Sequence, residues 1–305
     1  MIGGTVRLLR VLARRRMGAA LALVVLVGFA LAILARPVAW PYPPGAQDAR
    51  LVLQGPSLTH PLGTDGTGRD VLARVIDGAR YAFAVPLAAL ALALAILLGA
   101  PLGLAAGLGG GWFDTLLRRV FQGISLVPPL LLAMALVAAM GPSLRHVVFA
   151  IGLLEAIVFA RAMRDEVRAL HERGFVEAAI AAGNPMYRLV VVHLLPNTLA
   201  RIAGEIPRQA AWALGVLAAM GFVGIATAAD TTEWGSMIRE GVEHLFAGQW
   251  WVVVFPGSAL LVFGAALRVL AESIDEHGPR RAASGAMLAG VPGRQAGALT
   301  PRGAA

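Results

Sequence analysis

Long apolar stretches separated by short polar segments make up most of the chain. Six of these stretches are long enough, at about 20 residues each, to cross a bilayer as helices. They lie at residues 17–35, 82–108, 120–140, 147–162, 206–225 and 251–271. The pattern predicts an all-α, polytopic membrane protein with about six transmembrane helices.

The composition agrees with this prediction. Of the 305 residues, 58% are hydrophobic and 14% are charged, and the mean hydropathy is +0.72, which leaves too few polar residues to coat a soluble globule. The chain has no cysteine, which excludes a disulfide, a thiol nucleophile and a thiolate metal site. It also has no lysine, and a phosphate-binding Walker loop ends in Gly-Lys-Ser/Thr. The chain therefore cannot be a P-loop ATPase by itself.

All 26 basic residues are arginine, and they cluster near the ends of the predicted spans. Under the positive-inside rule, the arginines between residues 7 and 16 place the N-terminus in the cytoplasm, and alternation then places the segment 161–201 and the C-terminus there too. Four arginines on the outer side fit the rule less well, namely Arg50, Arg69, Arg74 and Arg80, but aspartates accompany them. The net charge of +8 does not indicate nucleic acid, because the arginines form no stripe with interleaved aromatic residues.

The segment 175–197 is a polar interruption between two apolar stretches. Residues 175–182 predict a short Ala-rich helix, after which Gly183 supplies a flexible C-terminal position. Pro185 suits the first turn of a second helix, which ends at Pro196. Two short helices at an angle, with apolar residues available to a partner, are therefore predicted on the cytoplasmic side.

A second constellation, residues 60–80, precedes the second apolar stretch on the outer side. Its glycines and Asp65 favour tight turns, and the apolar residues that follow recur at helical spacing. His60 and Asp65 are separated by these turns instead of sharing one helix face, which disfavours a metal site. Three tryptophans near other span ends suit an interfacial aromatic belt: Trp234, Trp250 and Trp251.

Both segments resemble those of ATP-binding-cassette importer permeases. Glu177-Ala178-Ala179, Gly183 and Leu195-Pro196 are similar to the EAA loop of that family. The run His-Pro-Leu-Gly-Thr-Asp-Gly-Thr-Gly-Arg-Asp-Val-Leu at 60–72 resembles the signature of the second, C-type permease of dipeptide, oligopeptide and nickel importers. His193 before Leu-Leu-Pro-Asn is typical of the same branch.

The resemblance implies a type I ABC importer permease fold in the cell inner membrane, and a transport subunit that is not an enzyme. The implied partners are a homologous second permease, two ATP-binding subunits that carry ATP-Mg, an external substrate-binding protein and the lipid bilayer. The chain itself is expected to hold no cofactor and no metal. The implied cargo is a dipeptide, an oligopeptide, a nickel complex or a related small solute. The residues implied to dock on an ATPase subunit are Glu177, Ala178, Ala179, Gly183, Pro185, Tyr187, His193, Leu195 and Pro196.

Glu155 lies near the middle of the fourth predicted span, where an ionisable group costs at least ~2.5–3.5 kcal/mol. One hypothesis is that it lines the translocation path and contacts a cationic group of the cargo, such as a peptide amino terminus. The alternative is a protonated or hydrogen-bonded glutamate at a helix interface.

These observations divide the chain into four regions. Residues 1–36 comprise the cytoplasmic N-terminus and first span, and 37–79 an external loop with a short helix. Residues 80–272 form the permease core with a cytoplasmic coupling loop at 163–205, and 273–305 a tail whose composition predicts disorder. There are two alternatives to the importer permease, namely an ion-coupled secondary transporter and a non-transporting membrane scaffold. The first commonly carries internal repeats, which the sequence does not show, and a scaffold needs no coupling loop.

Overall fold

A computed structural model of the chain describes residues 2–98, 112–171, 195–226 and 231–275. In these ranges the regular structure is helical, as the sequence predicts, apart from one isolated β-bridge between Thr64 and Asp70. The helices are α1 (Ile2–Ala39), α2 (Val71–Leu98), α3 (Trp112–Ser125), α4 (Pro129–Met140), α5 (Leu144–His171), α6 (Leu195–Val223), α7 (Trp234–Leu245) and α8 (Trp251–Asp275), with a 3₁₀ turn at Ala49–Leu51.

Four helical segments in the described ranges are long and apolar enough to cross a membrane. They are Met17–Ala39, Val71–Ala93, Glu205–Val223 and Trp251–Ile274, and they correspond to the first, second, fifth and sixth predicted spans. Large apolar side chains such as Leu21 and Leu34 are exposed along α1. Exposed apolar surface of this extent is typical of helices that face lipid.

The third predicted span, 120–140, consists of two helices instead of one. α3 ends at Ser125, and α4 begins at Pro129, whose missing N–H is tolerated in the first turn. Pro128 disfavours a helical backbone at the residue before it, which explains the break. The fourth predicted span, 147–162, lies inside the 28-residue α5, whose C-terminal part carries charged residues.

α2 is continuous from the outer segment into the second span. The sequence pattern predicts an external short helix up to residue 79 and a span that follows it, whereas the structure has one 28-residue helix that begins at Val71. Charged residues in its outer turns are accommodated without a break, because Asp77 and Arg80 pair one turn apart at 3.2 Å.

The helices pack around two groups of buried apolar side chains. The first lies between α1, α2, α7 and α8 and includes Leu214 of α6, and the second lies between α2, α4, α5 and α6. At the centre of the first group, four aromatic rings contact one another at centroid separations of 4.7 to 5.7 Å; these are Phe29, Phe83, Trp234 and Phe263. α2 contributes to both groups and therefore joins the two halves of the bundle.

Residues 40–70 fold into a compact outer segment above α2. The Leu53 N–H donates to the Asp65 carbonyl at 3.0 Å, which holds the two arms of the segment together. Gly68 has a φ of 77°, and a Cβ there would collide with the backbone of Asp48. Glycine is therefore required at this turn for both conformation and space.

Candidate functional site

Four charged side chains form a cluster at the outer end of α2: Asp65, Arg69, Arg74 and Glu240. Asp65 Oδ2 accepts hydrogen bonds from Arg69 Nε at 2.8 Å and from Arg74 Nη1. Glu240 Oε2, on α7, accepts from Arg69 Nη2 at 2.8 Å and from Arg74 Nη1 at 3.0 Å. This outer charged cluster ties the turn before α2, and α2 itself, to α7.

Three of the four side chains of the outer charged cluster are shielded from solvent, whereas the Glu240 side chain is 28% exposed. Arg74 is 1% exposed, and Asp65 and Arg69 are also buried. Burial alone would raise the pKa of Asp65, but the Arg74 guanidinium, the backbone N–H groups of Arg69 and Thr67, and the Arg69 charge hold it below its ordinary value. Arg69 and Arg74, two of the outer arginines that fit the positive-inside rule less well, are thus balanced by two carboxylates.

Asp70 joins three parts of the outer segment. Its Oδ1 accepts from the backbone N–H of Ala73 at 2.7 Å, which caps α2, and from Trp40 Nε1 at 3.1 Å. Its Oδ2 lies 2.7 Å from His60 Nδ1. Both oxygens are therefore engaged in structural contacts. Within the described ranges, no group of three or more His, Asp or Glu side chains is placed to hold a metal ion.

A cavity of about 440 Å³ opens between the outer charged cluster and α7. Its lining combines arginine and carboxylate groups with neutral polar ones; besides the cluster it includes Gln47, Thr67, Arg239, Glu243 and His244. Such a recess offers hydrogen-bond donors and acceptors of both charges. Its chemistry suits reversible polar contact with another molecule on the outer side.

Glu233 caps the N-terminus of α7. Its carboxylate accepts from the backbone N–H of Gly235 at 2.8 Å and from that of Ser236. The residue is 1% exposed. Burial raises the pKa of the Glu233 carboxyl to about 7, although both backbone N–H groups favour its ionised form. This outer carboxyl therefore titrates near neutral pH.

Trp234 anchors α2, and Trp251 anchors the outer segment, to the last two helices. Trp234 is 2% exposed, and its Nε1 donates to the Val75 carbonyl at 2.9 Å. Trp251 Nε1 donates to the Thr64 carbonyl at 3.1 Å. The interpretation of an interfacial aromatic belt is wrong for Trp234, because its ring lies in the core.

Glu155 lies on α5 and is fully buried. Gly152, one turn earlier on the same face, brings α5 against Ala89 and Leu92 of α2. Neither carboxyl oxygen of Glu155 has a hydrogen-bond partner in the described part of the chain. The structure thus places Glu155 at a helix interface within the bundle.

The residues predicted to contact an ATPase subunit fall mostly outside the described residues. These are Glu177, Ala178, Ala179, Gly183, Pro185, Tyr187 and His193. Leu195 and Pro196 form the start of α6. The two helices that flank this segment, α5 and α6, pack against each other and against α2.

Sequence reasoning did not identify the roles of two residues that complete the outer side, Glu240 and Glu233. Asp65, Arg69 and Arg74 stand out in the sequence because they surround the start of a helix. Glu240 is 166 residues from Arg74, and no local pattern points to the pairing. For Glu233 a signal exists, since an acidic residue directly before an amphipathic helix is a usual capping position.

Comparison with known proteins gives consistent matches. The family model described as "Binding-protein-dependent transport system inner membrane component" matches residues 99–277. The dipeptide transport system permease DppC of Alkalihalophilus pseudofirmus is 38% identical over 210 residues, which cover 69% of this chain and 68% of the relative.

Two further relatives extend the match over more of the chain. A putative peptide transport system permease of Brucella suis is 33% identical over 263 residues, which cover 85% of this chain and 86% of the relative. The probable D,D-dipeptide transport system permease DdpC of Escherichia coli is 30% identical over 251 residues, which cover 82% and 83% of the two chains.

Proposed function

The chain belongs to the family of binding-protein-dependent transport system inner membrane components, and from this membership we propose that it serves an ATP-driven importer of peptides or chemically related solutes. It is a multi-pass inner membrane protein and the membrane-spanning permease subunit of an importer, of the C-type. The cargo proposal rests on its relatives, whose names refer to dipeptides, D,D-dipeptides and peptides. Nickel complexes stay a second candidate because the outer signature is shared with that branch.

The loop that contains Glu177 and Gly183 is the proposed contact with the ATP-binding subunits. It connects the C-terminal end of α5 to the N-terminal end of α6, and these helices pack on each other and on α2. A force that the ATP-binding subunits exert on the loop is therefore transmitted directly to α5 and α6 at the centre of the bundle. ATP-Mg belongs to the partner subunits in this scheme, because the chain contains no lysine for a Walker loop.

The proposed assembly contains a homologous second permease, two ATP-binding subunits and an external substrate-binding protein. The outer side of the chain has features that support contact with the substrate-binding protein. The cluster of Asp65, Arg69, Arg74 and Glu240 braces the outer segment against α7, and the cavity beside it presents both charges. A braced surface loses little conformational entropy when a partner docks, which favours contact with a delivering protein.

Glu155 is proposed to contact the cationic end of the cargo when the bundle opens. It is a fully buried carboxyl on α5 without a hydrogen-bond partner in the described ranges. An ionisable group at that depth is expensive to keep and usually has a function in transport proteins.

The observation that carries the function is the family match over residues 99–277 together with relatives that cover up to 85% of the chain. The test is affinity purification of the tagged chain from gently solubilised membranes, with identification of co-purifying proteins and an ATPase assay of the eluate. Recovery of a second permease and nucleotide-binding subunits with ATPase activity supports the ATP-driven assembly. A lone, ATPase-inactive chain favours an ion-coupled carrier or a scaffold.

A further inference from the structure

α3 is a 14-residue helix with one apolar and one polar side. Its apolar residues include those at positions 113, 116, 117, 120, 121 and 124, which is the spacing of a single stripe along a helix. Its charged residues, two arginines and one aspartate, lie outside this stripe. In the described part of the chain no other helix packs along α3, so packing within the bundle does not account for the apolar stripe.

The apolar stripe is exposed along the middle of α3 and meets the bundle at the end of the helix. Leu116 and Val120 are 48% and 46% exposed. Ile124, one turn further along, lines a cavity of about 430 Å³ together with Leu132 of α4 and Ile157 of α5. Because Leu116, Val120 and Ile124 are spaced four residues apart, their side chains lie on one face of the helix. The stripe therefore faces the same level as the apolar interior of the bundle.

The exposed apolar surface continues through the turn that joins α3 to α4. Three apolar side chains in and after this turn are exposed, namely Leu126, Val127 and Leu131. The backbone N–H groups of Leu126 and Val127 donate to carbonyls at the end of α3, at 3.2 and 3.3 Å. A turn with apolar side chains and paired N–H groups is compatible with contact with lipid.

α3 meets the bundle at the cytoplasmic edge of the hydrocarbon core. α2 runs from the outer segment towards the cytoplasm, and α3 is the next described helix. The two arginines of α3 agree with this side under the positive-inside rule. Ile157, which shares a cavity with Ile124, lies near the cytoplasmic end of the fourth predicted span, 147–162. The apolar stripe of α3 is thus placed where lipid chains meet headgroups.

We propose that α3 is an interfacial helix that lies along the cytoplasmic leaflet of the membrane. Leu116 and Val120 extend into the edge of the hydrocarbon, and the polar side of the helix faces the headgroups and the cytoplasm. Helices with an apolar stripe and a positively charged polar side bind at this depth, because burial of the stripe and attraction to anionic lipid act together. The membrane crossing that follows then begins at the turn before α4. The proposal depends neither on the cargo nor on the ATP-binding subunits.

Site-directed spin labelling of the full-length chain tests this placement. The chain has no cysteine, so Leu116→Cys, Val120→Cys and Gln122→Cys each give a single labelled site. Each variant is reconstituted, together with any subunits that co-purify, in vesicles of phosphatidylethanolamine and phosphatidylglycerol. Electron paramagnetic resonance then measures the access of oxygen, which concentrates in hydrocarbon, and of a water-soluble nickel chelate. The ratio of the two gives the depth of the label.

We expect the labels at 116 and 120 to be accessible to oxygen and to lie at one depth, about 5–10 Å below the headgroup boundary. The label at 122 is on the opposite side of the helix and should be reached by the nickel chelate. A helix that continued the span would instead place the label at 116 about 6 Å shallower than the label at 120, since the two are four residues apart. Such a difference in depth would overturn the proposal.

Leu261→Cys is the matched control, because Leu261 is exposed near the middle of the span Trp251–Ile274. Its label should be accessible to oxygen and deeper than both labels on the stripe. Nickel access at 116 and 120 equal to that at 122 would place α3 in the cytoplasm and overturn the proposal. Low access of both reagents at 116 and 120 would also overturn it, since the stripe would then contact another protein subunit. None of these outcomes bears on the ATP-driven importer, which is tested by its co-purifying partners.

Discussion

The carboxylate of Glu233 occupies the space into which a side chain at Gly221 would project. Gly221 lies near the outer end of α6 and Glu233 at the start of α7, and a Cβ placed on Gly221 would overlap the Glu233 carboxyl group. Because that carboxyl also caps α7, it has little freedom to move aside. The pair thus fixes how closely α6 and α7 approach at the outer side.

Gly221→Ala is expected to destabilise the chain by about 1–3 kcal/mol, the usual range for an added methyl group in a packed site. The thermal unfolding temperature of the purified chain checks this. Gly215→Ala is the control, since a Cβ there meets nothing within 4 Å. Combining Gly221→Ala with Glu233→Ala should cost less than the sum of the two changes, because the collision is then absent. Strict additivity would show that the two residues do not share the space.

Stability at the start of α7 should fall as the pH rises through neutrality. Burial raises the pKa of Glu233 in the folded chain to about 7, from 4.5 for an ordinary glutamate. A raised folded-state pKa means that the stabilising contribution is complete below about pH 4.5 and is lost as the pH passes 7. Unfolding temperatures at pH 5 and pH 8 should therefore differ more for the unmodified chain than for Glu233→Gln. All other residues are the same in the two proteins, so their contributions cancel in the comparison. If the unfolding temperatures of the unmodified chain and Glu233→Gln depend equally on pH, a group other than Glu233 is responsible.

Removal of the Arg74 charge should be one of the most damaging single changes on the outer side. Arg74→Gln leaves Asp65 buried with only one cationic partner, and breaking a buried pair costs about 3–5 kcal/mol. Arg80→Gln, which removes the exposed partner of Asp77, should cost at most about 1 kcal/mol. Urea unfolding followed by tryptophan fluorescence compares the two. Similar losses of unfolding free energy in the two variants would mean that burial of the outer charged cluster contributes nothing to stability.

Changes in the cytoplasmic loop should separate ATP hydrolysis from uptake. Gly183→Pro should prevent the bend that the sequence predicts, and Glu177→Lys reverses the charge offered to the ATP-binding subunit. Both variants are expected to insert normally and to support ATP hydrolysis with little or no uptake in reconstituted vesicles. Tightly coupled uptake in both variants would remove the loop from its proposed role.

Glu155→Gln should preserve folding and change transport. The glutamine has nearly the same shape and no charge, so the stability of a site without hydrogen-bond partners in the described ranges should be unchanged or higher. Uptake of peptides with a free amino terminus should fall relative to uptake of N-acetylated ones. If uptake and preference are both unchanged, Glu155 serves helix packing alone.

The apolar pattern predicts the spans that have a long uniform run, such as Trp251–Ile274, because burial in lipid depends on composition over many residues. The apolar pattern predicts the boundaries of α2 less well, because the outer turns of α2 contain charged residues. These residues are compatible with a buried helix only because they have partners of opposite charge. The break between α3 and α4 follows from two adjacent prolines and could be anticipated. The pairing of Arg74 with Glu240 could not, because contacts between distant segments leave no local signal.

The ion pair between Arg74 and Glu240 can form only late in the synthesis of the protein. Arg74 leaves the ribosome 166 residues before the carboxylate that completes its surroundings. The carbonyl groups of Thr64 and Val75 likewise accept hydrogen bonds from the indoles of Trp251 and Trp234, respectively. Both tryptophans belong to the last two helices and are synthesised later. A prematurely terminated polypeptide therefore inserts its early spans but exposes an unfinished outer surface. Only chains that include the last two helices present a finished face to the outside, and shorter nascent products are open to proteases there.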